Sequence, residues 1–181
     1  MKDWIFVTSS RDKRLEAERI LGRRIAQKKL DLPETQSLDL EAVITEKARF
    51  AYEKLNHVPI IVEDTALFIH AWKGLPGPLI RWFDEAVGSE GICAMLDGFS
   101  DRSATAKTMV AAHDGTLRLF SGEIDGRIAD APRGSNGFGW DKIFIPAGDS
   151  RTFAEMSPQE KDAISMRRNA FEGLVDSLRD A

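Results

Sequence analysis

An uninterrupted apolar segment, residues 58–62 (VPIIV), constrains the fold of this chain more than any other feature of its sequence. Strands buried on both faces are continuously apolar and rich in β-branched residues, whereas half-exposed strands alternate apolar and polar positions. Helical patterns precede it at residues 11–30 and 40–55, and in the second pattern apolar side chains recur at spacings of three and four. This combination predicts an α/β fold in which helices flank a mixed sheet.

The rest of the chain continues the alternation of strands and helices. Residues 4–7 (WIFV) predict a short first strand, and Asp114-Gly115 predicts a hairpin turn. Ser157, Pro158 and Glu160 have the spacing of a helix N-cap, first helical position and capping box. Further elements are predicted as short helices at 79–86 and 90–96, strands at 104–112, 116–120, 123–128 and 142–145, and a glycine-rich loop at 132–139. Because no long linker interrupts this pattern, residues 1–181 are predicted to form a single domain.

The composition is typical of a globular protein. Of the 181 residues, 43% are hydrophobic and 30% are charged, which excludes the disordered and fibrous classes. The apolar run at residues 4–7 is too short for a signal peptide or a membrane span. The single cysteine, Cys93, lies in an apolar segment and cannot form an internal disulfide. We therefore expect a buried thiol and a cytoplasmic protein.

The charge is unevenly distributed along the chain. The net charge is −4, yet residues 11–29 contain eight Lys or Arg against three acids. A net negative protein has no general attraction for nucleic acid, and we expect neither a nucleic-acid nor a membrane partner. The basic segment is interpreted as the solvated face of a helix, with polyanion binding as the alternative.

Polar residues follow the first predicted strand at the point where a helix begins. Thr8, Ser9 and Ser10 offer hydroxyl donors, and Lys13 lies within the first turn. A helix N-terminus presents unpaired N–H groups and a partial positive charge, which suits a phosphate group. Ser and Thr also begin many helices as caps alone. This segment therefore predicts either a phosphate-binding turn or a simple cap.

Two carboxylates, Glu63 and Asp64, directly follow the predicted buried strand. Ligands of open α/β sheets bind at such strand ends. Adjacent carboxylates repel each other unless a cation intervenes, and Mg²⁺ prefers one or two carboxylates together with waters and phosphates. Glu34, after a proline turn, is a third acid that could reach the same ion. The alternative is a pair of surface acids that ends the strand.

Residues 137–141 (GFGWD) place two aromatic side chains among glycines in a predicted loop. Exposing such rings is costly unless a ligand stacks on them, and a nucleobase would suit Phe138. Asp141 could accept a hydrogen bond from a sugar hydroxyl or a base N–H. The alternative is that Phe138 and Trp140 are core residues that cover the end of the sheet.

The last predicted helix carries several polar side chains. Lys161, Ser165 and Arg168 are spaced four and three residues apart and are predicted to share one face. Arg167 lies about 100° away from Arg168 around a helix. The spacing leaves open which of the two arginines faces a site.

Taken in order, these motifs resemble the inosine triphosphate pyrophosphatase family, whose members hydrolyse non-standard purine nucleoside triphosphates. The resemblance extends along essentially the whole chain, and several of its motifs are long and specific. It is carried by residues 31–34 (DLPE), 62–65 (VEDT), 74–83 (GLPGPLIRWF), 132–134 (PRG), 138–141 (FGWD), 152–156 (TFAEM), 160–161 (EK) and 164–165 (IS).

The resemblance implies a fold, a reaction and an assembly. The implied fold is an elongated mixed β-sheet with flanking helices that forms two lobes around a central cleft. The implied reaction is Mg²⁺-dependent hydrolysis of substrates such as dITP, ITP and XTP to the monophosphate and pyrophosphate. Members commonly form homodimers, which we expect here as well.

The resemblance also implies roles for individual residues. Asp64 would act as general base on the attacking water and, with Glu34, as a Mg²⁺ ligand. The implied substrate-binding residues are Thr8, Ser9, Ser10 and Lys13 at the phosphates, Phe138, Gly139, Trp140 and Asp141 at the base, and Thr65, Lys161, Ser165, Met166 and Arg167 as further nucleotide contacts.

Two segments depart from the family pattern. The family's Thr-Gly-Asn is residues 8–10 (TSS) here, and Ser9 lacks the freedom of glycine at positive φ. The family's Ser-His-Arg, whose His and Arg read the 6-oxo group of the base, is residues 165–167 (SMR) here, and methionine donates no hydrogen bond. We expect hydrolysis to be retained with a weaker or redirected base preference. The alternatives are a Met166 that only packs, a pyrophosphatase of the same fold for another base, and a nucleotide-binding protein without turnover.

Overall fold

The computed structural model describes residues 4–179, which contain five α-helices and one seven-stranded sheet. The strands are β1 (Ile5–Val7), β2 (Ala26–Lys28), β3 (Ile60–Ile69), β4 (Pro76–Gly77), β5 (Ser103–His113), β6 (Leu117–Ile128) and β7 (Phe144–Pro146). The helices are α1 (Arg11–Leu21), α2 (Leu40–Lys54), α3 (Ile80–Ala94), α4 (Pro158–Ile164) and α5 (Met166–Arg179). Short 3-10 turns occur at His70–Trp72, Gly139–Lys142 and Phe153–Glu155. Within residues 4–179, no helix has the length and hydropathy required to cross a membrane.

The seven strands form one mixed sheet. Its order is β2-β1-β3-β5-β6-β7, with β4 also paired to β3. Strand β1 runs parallel to both β2 and β3, whereas β3, β5, β6 and β7 pair antiparallel in succession. The predicted α/β class with a mixed sheet is therefore confirmed. The two-lobed outline implied by the resemblance stays a prediction.

Successive side chains of β3 point to opposite faces of the sheet. Ile60 and Val62 belong to a hydrophobic cluster with Ile44 of α2 on one face. Ile61 belongs to a second cluster with Phe171 of α5 on the other face. Both faces of the strand are covered, which explains why the segment is apolar at every position. The same alternation decides where the next residues of β3 point.

The first helix is shorter than predicted. The sequence predicted a helix over residues 11–30, but α1 ends at Leu21 because Gly22 adopts the left-handed conformation, with φ 64°. The N–H groups of Gly22 and Arg23 donate to the carbonyls of Arg19 and Glu18, the hydrogen bonds that typically close a helix. The chain then returns as the edge strand β2, which the sequence analysis missed.

Two strands are longer than predicted. Strand β3 begins at Ile60, within the predicted segment 58–62, and continues to Ile69. Strand β6 is continuous, although strands were predicted separately at 116–120 and 123–128. Gly122 lies between the two predicted segments. In the structure Gly122 lies under α5, where a Cβ atom would overlap the carbonyl oxygen of Met166.

The two short helices predicted at 79–86 and 90–96 are confirmed as two helical segments within α3, because the backbone of Gly88 between them is not helical, with φ 66°. One further boundary differs from the sequence prediction. The strand predicted at 142–145 is shifted to β7, because residues 139–142 form a 3-10 turn instead. This difference does not change the order of the elements.

The predicted start of the last helical region is confirmed, but its continuity is wrong. Ser157 Oγ accepts from the Glu160 N–H at 3.3 Å, and Glu160 Oε2 accepts from the Ser157 N–H at 2.8 Å, which is a capping box. The helix then breaks at Ser165, whose backbone is extended and whose Oγ accepts from the Arg168 N–H at 3.2 Å. Lys161, Ser165 and Arg168 therefore do not share one helix face.

The close approach of α5 to β6 gives a test of the packing. We expect Gly122→Ala to destabilise the fold by about 1–3 kcal/mol, because the new methyl group has to push α5 away from the sheet. Urea denaturation measures the change in unfolding free energy. Gly98→Ala is the matched control, since a Cβ atom at Gly98 would meet no atom within 4 Å. Equal stabilities of the two variants would contradict this description of the interface.

Candidate active site

A cavity of about 640 Å³ lies where the loop after β1, the middle of β3, the start of α3 and the 3-10 turn at Gly139–Lys142 meet. Most of the site residues predicted from the sequence line it: Thr8, Ser9, Ser10, Lys13, Glu34, Asp64, Thr65, Phe138, Gly139, Trp140, Asp141, Lys161, Met166 and Arg167. Ser165 does not line the cavity. It is fully buried, and its hydroxyl caps α5.

The start of α1 forms one end of the cavity. Ser10 caps the helix by accepting from the Lys13 N–H at 3.1 Å, and Thr8 Oγ1 accepts from the Ser10 N–H at 3.1 Å. Ser9 is exposed, and its φ angle is not positive. The departure from glycine at this position therefore creates no backbone strain. The turn keeps a helix N-terminus and hydroxyl groups, which suit a phosphate.

Asp64 and Glu34 lie on the α2 side of the cavity and share one cation. Lys47 Nζ donates to Asp64 Oδ2 at 2.6 Å and to Glu34 Oε2 at 3.2 Å. Burial lowers the pKa of Lys47, but the charges of Asp64 and Glu34 outweigh burial and raise it above the ordinary lysine value. Lys47 therefore stays charged at neutral pH and fixes the position of the Asp64 carboxylate.

The donor set around Asp64 is compatible with Mg²⁺. The described residues contain no group of three or more His, Cys, Asp or Glu side chains that could hold a metal by themselves. Glu34 and Asp64 both contact Lys47, so their carboxylates lie close together. Two such carboxylates fit Mg²⁺, which takes its remaining oxygen ligands from water and substrate phosphates. Glu34 and Asp64 are the residues that could hold it.

Glu63 has a different environment from the one that the sequence suggested. Glu63 and Asp64 do not end the strand together but lie inside β3 on opposite faces. Glu63 contacts Arg167 Nη2 at 3.3 Å and Lys13 Nζ at 3.6 Å, and its Oε1 accepts from Thr65 Oγ1 at 2.5 Å. Burial raises the pKa of Glu63, but Arg167 and Lys13 lower it more strongly, to about 2. Glu63 is therefore a buried anion rather than a surface acid.

Glu16 of α1 organises the other end of the cavity. Lys161 Nζ donates to Glu16 Oε1 at 2.7 Å and to Asp141 Oδ2 at 2.6 Å, and Arg167 Nη1 donates to Glu16 Oε2. Burial raises the pKa of Glu16, but Arg167 and Lys161 outweigh it and lower the value overall. For Asp141 burial prevails over the attraction of Lys161, and its pKa is raised. The polar groups at this end thus form one buried network.

The structure settles which arginine faces the cavity. Arg167 is 2% exposed and bonds to acids from both α1 and β3. Arg168 points to the surface and pairs with Glu172 at 2.7 Å. Arg167 is therefore the arginine of the candidate site.

The two aromatic residues of the 3-10 turn have different roles. Phe138 is half-buried on the cavity wall, with Lys161 Nζ 5.0 Å and Arg167 Cζ 5.6 Å from its ring centre. Trp140 is buried and meets Phe144 edge-on at 5.6 Å. Stacking of a base fits Phe138, whereas Trp140 is mainly a core residue, the alternative that its sequence context had left open.

Met166 lines the cavity from the junction of α4 and α5. It is 1% exposed and belongs to a hydrophobic cluster with Ile128, Phe144 and Phe153. Its thioether contributes packing and no hydrogen-bond donor. At this end of the cavity, Arg167 and Lys161 supply the charged donors.

Sequence reasoning assigned no site role to Lys47 and Arg81, which line the cavity, or to Glu16, which holds the lining residues Lys161 and Arg167. Lys47 had been counted in the apolar pattern of α2, Glu16 in the charged face of α1, and Arg81 in a motif without a role. Arg81 Nη1 donates to Glu34 Oε1 at 2.8 Å across the cavity. A lysine at a core-facing position was the one signal that could have identified Lys47, since lysine is rarely buried without a partner.

Comparisons with known proteins show the family to which the chain belongs. The model of the Ham1 family matches residues 4–177. The dITP/XTP pyrophosphatase of Thermococcus kodakarensis is 40% identical over 178 residues, which cover 97% of this chain and 96% of the relative. The inosine triphosphate pyrophosphatase of Yarrowia lipolytica is 46% identical over 176 residues, which cover 94% and 92% of the two chains.

Solved structures give the same result. A HAM1 protein from Coxiella burnetii matches with a TM-score of 0.85 and 31% identity over 100% of both chains. The Ham1 protein of Staphylococcus aureus matches with a TM-score of 0.82 and 28% identity over 98% of both chains. Because the similarity extends along the whole length in sequence and in structure, the chain belongs to the Ham1 family.

Proposed function

We propose that this protein is a nucleoside-triphosphate pyrophosphatase that hydrolyses non-standard purine nucleoside triphosphates, such as ITP, dITP and XTP, to the monophosphate and pyrophosphate. The names of its relatives support this activity. The observation that carries the proposal is the position of Asp64, a fixed carboxylate in the same cavity as the start of α1 and the Phe138 ring. A site that only bound nucleotides would not require that acid.

The start of α1 is proposed to bind the triphosphate. The helix N-terminus and the Lys13 ammonium provide positive charge, and the hydroxyls of residues 8–10 provide hydrogen bonds. Hydrolysis between the α- and β-phosphates builds negative charge on the pyrophosphate that leaves. Lys13 and the helix N-terminus stabilise that charge in the transition state, which is the main way enzymes accelerate phosphoryl transfer.

Asp64 is proposed to accept a proton from the attacking water. Its Oδ2 is held by Lys47, and its Oδ1 accepts from the Thr65 N–H at 2.9 Å, so the carboxylate has a fixed orientation. Glu34 and Asp64 together would hold Mg²⁺, which neutralises phosphate charge when it is bound. Mg²⁺ dependence is part of the proposal.

The base is proposed to stack on Phe138, with Lys161 and Arg167 as the donors nearest to it. Both cations are held by Glu16, so their positions are fixed before the substrate binds. Met166 donates no hydrogen bond to the base, so we propose that this site prefers 6-oxo bases less strongly than a site with histidine at this position would.

We also propose that the protein forms a homodimer. Light scattering would reveal this from its mass in solution.

Replacing Asp64, the proposed general base, tests whether the protein is an enzyme. We expect Asp64→Asn to lower kcat for ITP by about 10²–10⁴-fold, because the amide cannot accept the proton of the attacking water. The assay separates mono-, di- and triphosphates and measures pyrophosphate in the presence of Mg²⁺. Asp176→Asn is the control, since Asp176 pairs with Arg179 on the surface of α5, outside the cavity lining. No turnover by the parent protein, with Mn²⁺ also tried, would support the nucleotide-binding alternative instead.

A second substitution tests the base preference. Met166→His restores a donor at the base end, and we expect it to raise the ratio of kcat/KM for ITP over ATP about tenfold. Met166→Leu, which keeps the apolar packing and adds no donor, is the control. XTP and GTP extend the comparison to the 2-position of the base. Identical ratios in the parent and the histidine variant would show that Met166 only packs.

A further inference from the structure

Lys29 is a cation of the cavity wall to which the proposed reaction assigns no role. It is the first residue after β2, and it lines the cavity of the candidate site. Strand β2 runs parallel to β1 with Lys28 opposite Val7, and the Lys28 carbonyl accepts from the Thr8 N–H at 3.1 Å. Lys29 therefore leaves the sheet beside the turn that begins at Thr8, which is the turn proposed to bind the phosphates.

Lys29 differs from the other cations of the cavity lining because no acid is paired with it. Each of the others lies within 4.0 Å of an aspartate or a glutamate: Lys13, Lys47, Arg81, Lys161 and Arg167. Lys29 is exposed and forms no hydrogen bond or ion pair with any residue between 4 and 179. Its charge is therefore available to an anionic ligand, whereas the other cations are already held by acids of the protein.

The order of the strands indicates which phosphate Lys29 would contact. Asp64, which is proposed to activate the attacking water, belongs to β3, the phosphate-binding turn follows β1, and Lys29 follows β2. Strand β1 lies between β3 and β2 in the sheet. Neighbouring strands are about 4.8 Å apart, so the backbone of Lys29 lies roughly 10 Å from the strand that carries Asp64. A triphosphate that extends from Asp64 across the turn would therefore bring its last phosphate to Lys29.

We propose that Lys29 is a specificity-determining residue whose ammonium group binds the γ-phosphate of the nucleotide, so that the site favours nucleoside triphosphates over diphosphates. This inference rests on the proposed pyrophosphatase function and adds the length of the phosphate chain to it. Lys29 takes no part in the proton transfer to Asp64. Its removal changes the choice between substrates rather than the reaction.

The test compares ITP with IDP, which differ only in the γ-phosphate. We expect Lys29→Ala to lower kcat/KM for ITP about tenfold, because a hydrogen bond between charged groups contributes that much, and to leave the value for IDP unchanged. Lys29→Arg should keep the ITP-to-IDP ratio of the parent protein, since a guanidinium group also binds phosphate. The assay separates inosine mono-, di- and triphosphates.

Lys28→Ala is the matched control. Lys28 is exposed and carries the same charge as its neighbour Lys29, but it lies outside the cavity lining. This variant should keep the ITP-to-IDP ratio of the parent protein. An equal loss of activity on ITP in the two alanine variants would assign the effect to the net charge of the basic segment and would overturn the proposal. An unchanged ratio in Lys29→Ala would identify Lys29 as a solvated surface lysine and would likewise overturn it.

The dependence on salt gives a second readout. Because Lys29 is exposed, added KCl screens its attraction for a phosphate group. The ITP-to-IDP ratio of the parent protein should therefore fall as KCl is added, and the ratio of Lys29→Ala should change less. The same salt dependence in both proteins would contradict a direct contact between Lys29 and the γ-phosphate.

The outcome can be separated from failure of the proposed function. If the parent protein released no monophosphate from any triphosphate, the pyrophosphatase assignment would fall. Titration calorimetry of ITP and IDP against the parent protein and Lys29→Ala would then compare affinities without requiring turnover. Weaker binding of ITP alone in Lys29→Ala would support the contact with the γ-phosphate, and equal effects on both nucleotides, or none, would reject it.

Discussion

The structure depends on the need to neutralise two adjacent carboxylates in the middle of a covered strand. Because β3 alternates, Glu63 faces α5 and Asp64 faces α2, and each requires a cation on its own side. Arg167 pairs with Glu63 and Lys47 pairs with Asp64, while Lys13 lies near both acids. A buried charge without a partner costs several kcal/mol. The helices that cover the sheet must therefore bring these cations to fixed points, and the cavity forms between them.

The ionic contacts extend from one end of the cavity to the other. Lys13 lies between the two acids of β3, 3.6 Å from Glu63 and 3.8 Å from Asp64. Glu63 holds Arg167, which in turn bonds to Glu16, and Glu16 holds Lys161. The groups assigned to the phosphates and to the base thus belong to one network. Such a network keeps the donors in place before a substrate arrives, which is how preorganised sites reduce the cost of binding.

Sequence reasoning predicted the fold class, and most of the site residues that it predicted line the cavity. It erred where distant segments decide the outcome. Lys13, Asp64 and Phe138 were recognised because their local contexts (a helix start, a strand and a glycine loop) carry the signal. Lys47 and Glu16 were missed because their partners are distant in sequence, and nothing near them shows that a charge will be buried. The break at Ser165 was missed because a serine within a helical pattern serves equally as an interior residue or as a new cap.

The sequence by itself determined which segments are apolar, where several helices begin, and which residue types are available for phosphate and base contacts. These properties follow from side-chain chemistry and short-range periodicity, which require no knowledge of neighbours in space. The tertiary structure alone decided that Glu63 and Asp64 separate onto two faces and that Arg167 rather than Arg168 enters the cavity. Those outcomes depend on how strands pair and helices dock, because only the assembled sheet brings charges from distant segments within a few ångströms of one another.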